Sequence, residues 1–146
     1  MYGIILVIHS LLRWAILILL LACIIKSLTG MISKRSFTAS DNKISLFLMI
    51  SAHTQLLVAI LLYFISPFVQ FGAEAMKDPE KRFFTMEHTT MMLLAIILIT
   101  MGRILGKKAA SDKGKFRRLF WFNIIALLII FMAIPWPFAQ ISRPWF

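Results

Sequence analysis

The sequence predicts an all-α integral membrane protein: a four-helix bundle in up-down-up-down order, with both termini on the outer side. Three observations carry this expectation. Hydrophobic residues fill 60% of the 146 positions and charged residues only 15%, and the mean hydropathy of +0.87 is far above that of a soluble domain of this size. Four apolar segments recur, each near the ~20 residues that a helix needs to cross ~30 Å of hydrocarbon. The basic residues cluster in the short connections between those segments.

The first span runs from about Ile4 to Ile25 and closes at Lys26. No positive region precedes it and no small-residue cleavage site follows cleanly, so it reads as a retained span rather than a signal peptide. Thr29-Gly30, Lys34-Arg35 and Ser40-Asp41-Asn42-Lys43 read as a polar connection. The second span runs from about Ile44 to Ile65 and stops at Ser66-Pro67, where proline lacks a backbone donor and blocks continuation. A longer connection holds Phe68, Phe71, Gly72, Glu74 and Met76. Asp78-Pro79-Glu80 then reads as a helix start, with a cap, a proline at the first helical position and acid in the first turn. The third span begins near Pro79, enters the apolar layer near Phe83-Phe84 and reaches Arg103. Lys107 to Lys115 reads as a flexible loop. The fourth span, from about Leu119 to Ile134, is bent or ended by Pro135-Trp136-Pro137, and Arg143-Pro144-Trp145-Phe146 supplies aromatic and basic interface anchors. Residues 1–146 thus read as one transmembrane domain.

A formal net charge of +10 invites a nucleic-acid reading, which the distribution of charge excludes. Lys26, Lys34, Arg35 and Lys43 flank the first connection. Arg103, Lys107, Lys108, Lys113, Lys115, Arg117 and Arg118 flank the third. In the middle connection Lys77, Lys81 and Arg82 are balanced by Glu74, Asp78 and Glu80. The positive-inside rule places the two basic loops in the cytoplasm, where they meet anionic headgroups. The expected location is a bacterial inner membrane, crossed several times. Aligning His9-Ser10 with His88-Thr89 also suggests a weak internal repeat relating the first helix pair to the second.

Chemistry-bearing residues lie inside the apolar segments, which is where an ionisable group is expensive and usually faces a bundle interior. The three histidines fall on three helices: His9 on the first, His53 on the second and His88 on the third. Counting ~1.5 Å per residue from each outer helix end puts His9 at ~8 Å, His88 at ~13 Å and His53 at ~18 Å. A haem between helices needs two nitrogen ligands at similar depth, an apolar slot, and a cationic or watery place for its propionates. The expected pair is His88 with His53 first and His9 second, the remaining histidine serving as hydrogen-bond donor, propionate neighbour or quinone contact. Phe83, Phe84, Met86, Met91 and Met92 offer a soft lining. Ala95 and Gly102 permit close helix approach. The bland reading of each histidine is a cross-helix hydrogen bond, and the methionines with three histidines also permit a copper site.

Arg13 and Glu87 form a second constellation at ~14 and ~12 Å. They could pair with each other; Arg13 could instead hold a propionate while Glu87 relays protons or meets a quinone; or Glu87 snorkels outward. Ser10, Ser51, Gln55, Thr89 and Thr90 could complete a polar network. Asn123 reads as an interhelical hydrogen bond and the single Cys23 as a small packing residue. No phosphate loop, nucleophilic triad or paired acidic motif is present, which argues against hydrolysis and nucleotide chemistry.

HSLLRW at 9–14, SAHTQLL at 51–57 with LYFISP at 62–67, and RFFTMEHTTMM at 82–92 give the whole chain its resemblance to small bacterial four-span membrane proteins labelled cytochrome b-like. That resemblance implies a noncovalent b-type haem held by histidines, passing electrons in a membrane chain, with quinone or respiratory-chain proteins as exchange partners. Larger cytochrome b families carry two histidine pairs, whereas three histidines allow one. The rival expectation is a noncatalytic accessory or assembly subunit with a structural His/Arg/Glu network, and either form is compatible with an oligomer. In a Cys23→Ser chain, a membrane-impermeant thiol reagent added to intact cells should label a cysteine placed at Ala73 and spare one placed at Ala110; the opposite pattern would reverse the assigned orientation.

Overall fold

The structure is a computed structural model that describes residues 1–145; the anchor expected at Phe146 lies outside the described residues. Four helices are long and apolar enough to cross a membrane: α1 (Tyr2–Ser33), α2 (Ala39–Ile65), α4 (Pro79–Lys107) and α5 (Asp112–Ala133), with a short α3 (Ala73–Lys77) between the second and third. No strand occurs among the described residues. The long helices pack in a ring in which α1 touches α2 and α5, and α4 touches the same two. Helices α1 and α4 therefore face each other diagonally. Large apolar side chains such as Ile18, Leu57, Phe64 and Met132 cover the outside, as a lipid-facing surface requires.

The helix ends differ from the apolar boundaries at the two basic loops. Thr29 and Gly30, expected in a connection, are helical, because α1 continues through them to Ser33, where Lys34 turns left-handed at φ 52°. Helix α2 already begins at Ala39. Leaving the hydrocarbon does not end a helix: α1 has 32 residues, or about 48 Å at 1.5 Å each, against ~30 Å of hydrocarbon. What starts α2 is a capping box, in which the Thr38 hydroxyl accepts from the Asp41 N–H and the Asp41 carboxylate accepts from the Thr38 N–H. The same carboxylate takes two hydrogen bonds from Arg35, at 2.7 and 2.8 Å, and lies 3.6 Å from Lys26. The α1–α2 turn is thus clipped shut by charge. Likewise the loop expected from Lys107 to Lys115 is short, because Ser111 caps α5 by accepting from the Gly114 N–H at 3.0 Å. The start expected at Asp78-Pro79 is found, with the Asp78 carboxylate accepting from Glu80 and Lys81.

The core is built from Leu20, Leu48, Ile99, Leu119 and Ala126 with their neighbours. Glycines set the helix spacing. A Cβ on Gly102 would lie 2.8 Å from the Phe122 Cβ, and one on Gly30 would lie 2.6 Å from the Phe116 ring. The expected small-residue stripe, Ala95 and Gly102, is buried. Two polar ties cross the core. Asn123 Nδ2 donates to Cys23 Sγ at 3.3 Å, the interhelical bond expected of it. Arg103 is buried rather than part of a loop, and its Nη1 donates to the Asn42 carbonyl at 2.9 Å and the Ser45 hydroxyl at 2.6 Å, fixing α4 to the start of α2. Because Phe122 Cβ is held by its own backbone, Gly102→Ala forces two helices apart. Overpacking of this kind costs about 1–3 kcal/mol, so the thermal midpoint in detergent should fall clearly, while Ala110→Gly in the exposed loop should leave it in place.

Candidate functional site

The residues expected to carry chemistry do not all meet. His88 sits just after a π-helical segment, Phe83–Glu87, whose wide turn is a device often found beside functional sites. Local bonds stabilise it. The Thr89 hydroxyl donates five residues back to the Phe84 carbonyl at 3.0 Å, Tyr63 of α2 donates to the Thr85 carbonyl at 3.0 Å, and the Thr85 hydroxyl both accepts from and donates to the Gln70 backbone. His88 is thereby turned inward, with Phe83 and Phe84 beside its ring. Its Nδ1 lies 2.7 Å from the Ala133 carbonyl. A carbonyl only accepts, so Nδ1 carries the proton and Nε2 keeps its lone pair.

His88 lines a cavity of about 570 Å³, whose walls also include His9 and Arg13 of α1, Gln55 of α2 and Met92 of α4. Gln55 reaches across from α2 to donate to the His9 carbonyl at 2.9 Å. Among the described residues four buried side-chain atoms lack a hydrogen-bond partner, and three of them belong to this wall: His9 Nδ1, Arg13 Nε and Gln55 Oε1. Unpaired polar atoms away from water are costly, and these three belong to residues at one end of the cavity. The rest of its lining is mostly apolar, including Ile16, Ala52, Leu56, Ile96 and Ile130.

His53 is elsewhere. It is exposed on the bundle surface, where its Nε2 lies 2.9 Å from the Thr100 hydroxyl. Since that hydroxyl gives its own hydrogen to the Ile96 carbonyl, the histidine donates. The expected pairing of His88 with His53 is therefore not made, and Thr100 lies about 18 Å along α4 from His88 at 1.5 Å per residue. The depth count misplaced it because it took each helix's own end as zero. In fact α4 overhangs α2, so that Tyr63 near the end of α2 meets Thr85 rather than Pro79. His9, the second choice, is the histidine that shares the cavity with His88.

Glu87 and Arg13 do not pair either. Glu87 is exposed and accepts from Arg82 Nε at 2.8 Å, an i,i+5 contact that the π turn brings into register, so the outward alternative describes its position. Arg13 Nη2 donates instead to the backbone carbonyl of Trp145 at 2.6 Å. Among the described residues no group of three or more His, Cys, Asp or Glu side chains is placed to hold a metal ion. A haem would ask less of the protein, because its macrocycle supplies four of the iron's nitrogen ligands. The residues that could hold such a group around this cavity are His88, His9, whose ring has no hydrogen-bond partner among the described residues, and the cation Arg13. No family model, curated protein or solved structure matches the chain.

Sequence reasoning missed the π turn, the supporting Tyr63–Thr85 bond and the participation of Arg143 and Pro144 in the cavity wall. Only the density of phenylalanine and threonine over 83–90 hinted at the first. Tyr63→Phe removes the hydrogen bond to the Thr85 carbonyl and should lower stability by about 1 kcal/mol, with faster amide exchange across residues 83–89 and unchanged exchange in the core of α1.

Proposed function

We propose that this chain is a multi-pass protein of a bacterial inner membrane that holds one b-type haem between α1 and α4 and passes electrons within a membrane chain. In this reading the helices run up-down-up-down, both termini lie outside, and the cavity sits in the outer half of the layer. The observation that carries it is His88: an imidazole facing an intramembrane cavity with Nδ1–H bonded to a carbonyl and Nε2 bare. Protein histidines that bind metals are ordinarily held in this way. His9, across the diagonal and with no side-chain partner among the described residues, would be the second ligand. Arg13 is the cation for a propionate. His53 and Glu87 take structural roles in this arrangement, the first tying α2 to α4 and the second securing the π turn through Arg82.

A bound haem would supply one-electron chemistry. The chain's own part is to fix the imidazole orientation through Ala133, surround the macrocycle with Ile, Leu, Met and Phe side chains, and balance negative charge with Arg13. Quinone or a respiratory protein is the natural class of exchange partner. A second reading, a noncatalytic accessory subunit, draws support from Arg13, whose strongest bond goes to its own chain's Trp145 carbonyl, as a purely structural arginine's would.

Reduced-minus-oxidised visible spectra of protein purified from haem-replete cells separate the two. The haem reading expects a b-type difference spectrum that His88→Ala abolishes and His53→Ala preserves. A flat spectrum from the unaltered protein supports the accessory reading, and full haem retention in His88→Ala removes the ligand assignment.

A further inference from the structure

The cavity has two unlike sides. On the outer side, residues 135–145 fold back across it as a strap. The Arg143 guanidinium lies 4.1 Å from the centre of the Phe68 ring and 4.7 Å from that of Phe84, and its Nη2 is 2.6 Å from Glu80 Oε1. Its backbone N–H donates to the Pro135 carbonyl at 3.0 Å. The Trp145 carbonyl accepts from both Arg13 and Trp14, and the Trp145 ring packs beside Trp14 and Trp136. Arg143 and Pro144 themselves line the cavity. This side is fastened by charge, by hydrogen bonds and by aromatic contact.

The side between α2 and α4 is different. These two helices are joined near the outer end by Tyr63 and Thr85 and farther in by His53 and Thr100. Between those levels no hydrogen bond crosses the seam among the described residues, and beside Gln55, His88 and Thr89 the cavity lining from the two helices is apolar, including Leu56, Ala59, Ile60, Leu93 and Ile96. Ile60 and Leu93 line the cavity and are still 45% and 42% exposed. This side is closed by apolar side chains that keep much of their surface accessible.

The polar end adds a requirement of sign. Among the described residues no acidic side chain lines the cavity or pairs with Arg13, whereas Arg143 has Glu80. A guanidinium at this depth favours an anionic partner.

We propose that the cavity exchanges its occupant with the bilayer through the α2–α4 seam, and that the occupant is a membrane-dissolved amphiphile whose anionic end is received by Arg13. The strap is the closed wall towards water. The inference rests on the reading of the cavity as a binding site, and a haem with its carboxylates is one member of the class.

The test uses the full chain in phosphatidylcholine vesicles. A nitroxide attached to Leu56→Cys in a Cys23→Ser background should collide readily with oxygen, which concentrates in lipid, and poorly with a water-soluble nickel chelate. Leu93→Trp should cut the oxygen collisions severalfold, Ala59→Trp serving as a second plug if that variant does not fold. Arg143→Ala should raise the nickel collisions. Ready access of the chelate to the unaltered strap, or oxygen access indifferent to both plugs, overturns the route. Haemin and its dimethyl ester, supplied in the vesicle membrane, test the occupant: Leu93→Trp should slow uptake of both about tenfold, and Arg13→Leu should weaken haemin about tenfold while sparing the ester. Equal loss of both compounds in Arg13→Leu overturns the anionic end. Uptake of neither compound beside the expected nitroxide profile removes the haem reading and leaves the route standing, while haem bound in a cavity open to the chelate does the reverse.

Discussion

Hydrocarbon offers no hydrogen bonds, so every polar atom carried into it must be answered from within the protein. That constraint explains most of what is specific about this bundle. It makes the spans helical, because a helix satisfies its own backbone. It also explains why the polar side chains inside the bundle reach so consistently for backbone carbonyls: Gln55 to His9, Tyr63 to Thr85, His88 to Ala133, and Arg103 to Asn42. Each such bond crosses from one helix to another and so fixes a relative position that apolar packing leaves loose. Among the described residues the rule is broken at four atoms, and three of them, on His9, Arg13 and Gln55, belong to the wall of one cavity while the fourth, Asn123 Oδ1, lies apart.

The helical architecture was legible because it rests on composition and length. Apolar runs near the length of a membrane crossing, Pro67 after the second span, and Asp78-Pro79 before the third located the long helices closely. Their ends at the basic loops were less legible. An apolar run marks where lipid stops, but Thr38 and Ser111 decide where a helix starts, through hydrogen bonds that depend on how the loop folds. Arg103 illustrates the same difficulty. It reads as a loop charge, yet Asn42 and Ser45, about sixty positions away in sequence, supply the acceptors that let it be buried.

The candidate site was legible in its ingredients and not in its pairing. His9, His88 and Arg13 stand within apolar runs, which led to the expectation of an inward position, but His53 stands in one too and is exposed on the surface. Which histidines share a space depends on the stagger between α2 and α4, and no count along a single helix contains that. Glu87 and Arg13 were at matching depths, but matching depth says nothing of azimuth. An irregular turn one residue before His88 redirects that azimuth, and its signature in the sequence is faint.

That turn also sets a condition on sequence length. A π segment accommodates one more residue than the α-helix around it, so it behaves as an insertion absorbed without breaking the helix. Deleting a single position between Phe83 and Glu87 would let the segment relax to ordinary α geometry. The turns on either side would keep nearly the same alignment and Arg82 and Glu87 would become an ordinary i,i+4 pair, but the wide turn ahead of His88, with the five-residue bond from Thr89 back to Phe84, would be lost. The wide turn ahead of His88 is thus encoded as one extra position in the spacing, and a chain that lost that position would carry the helix through as plain α.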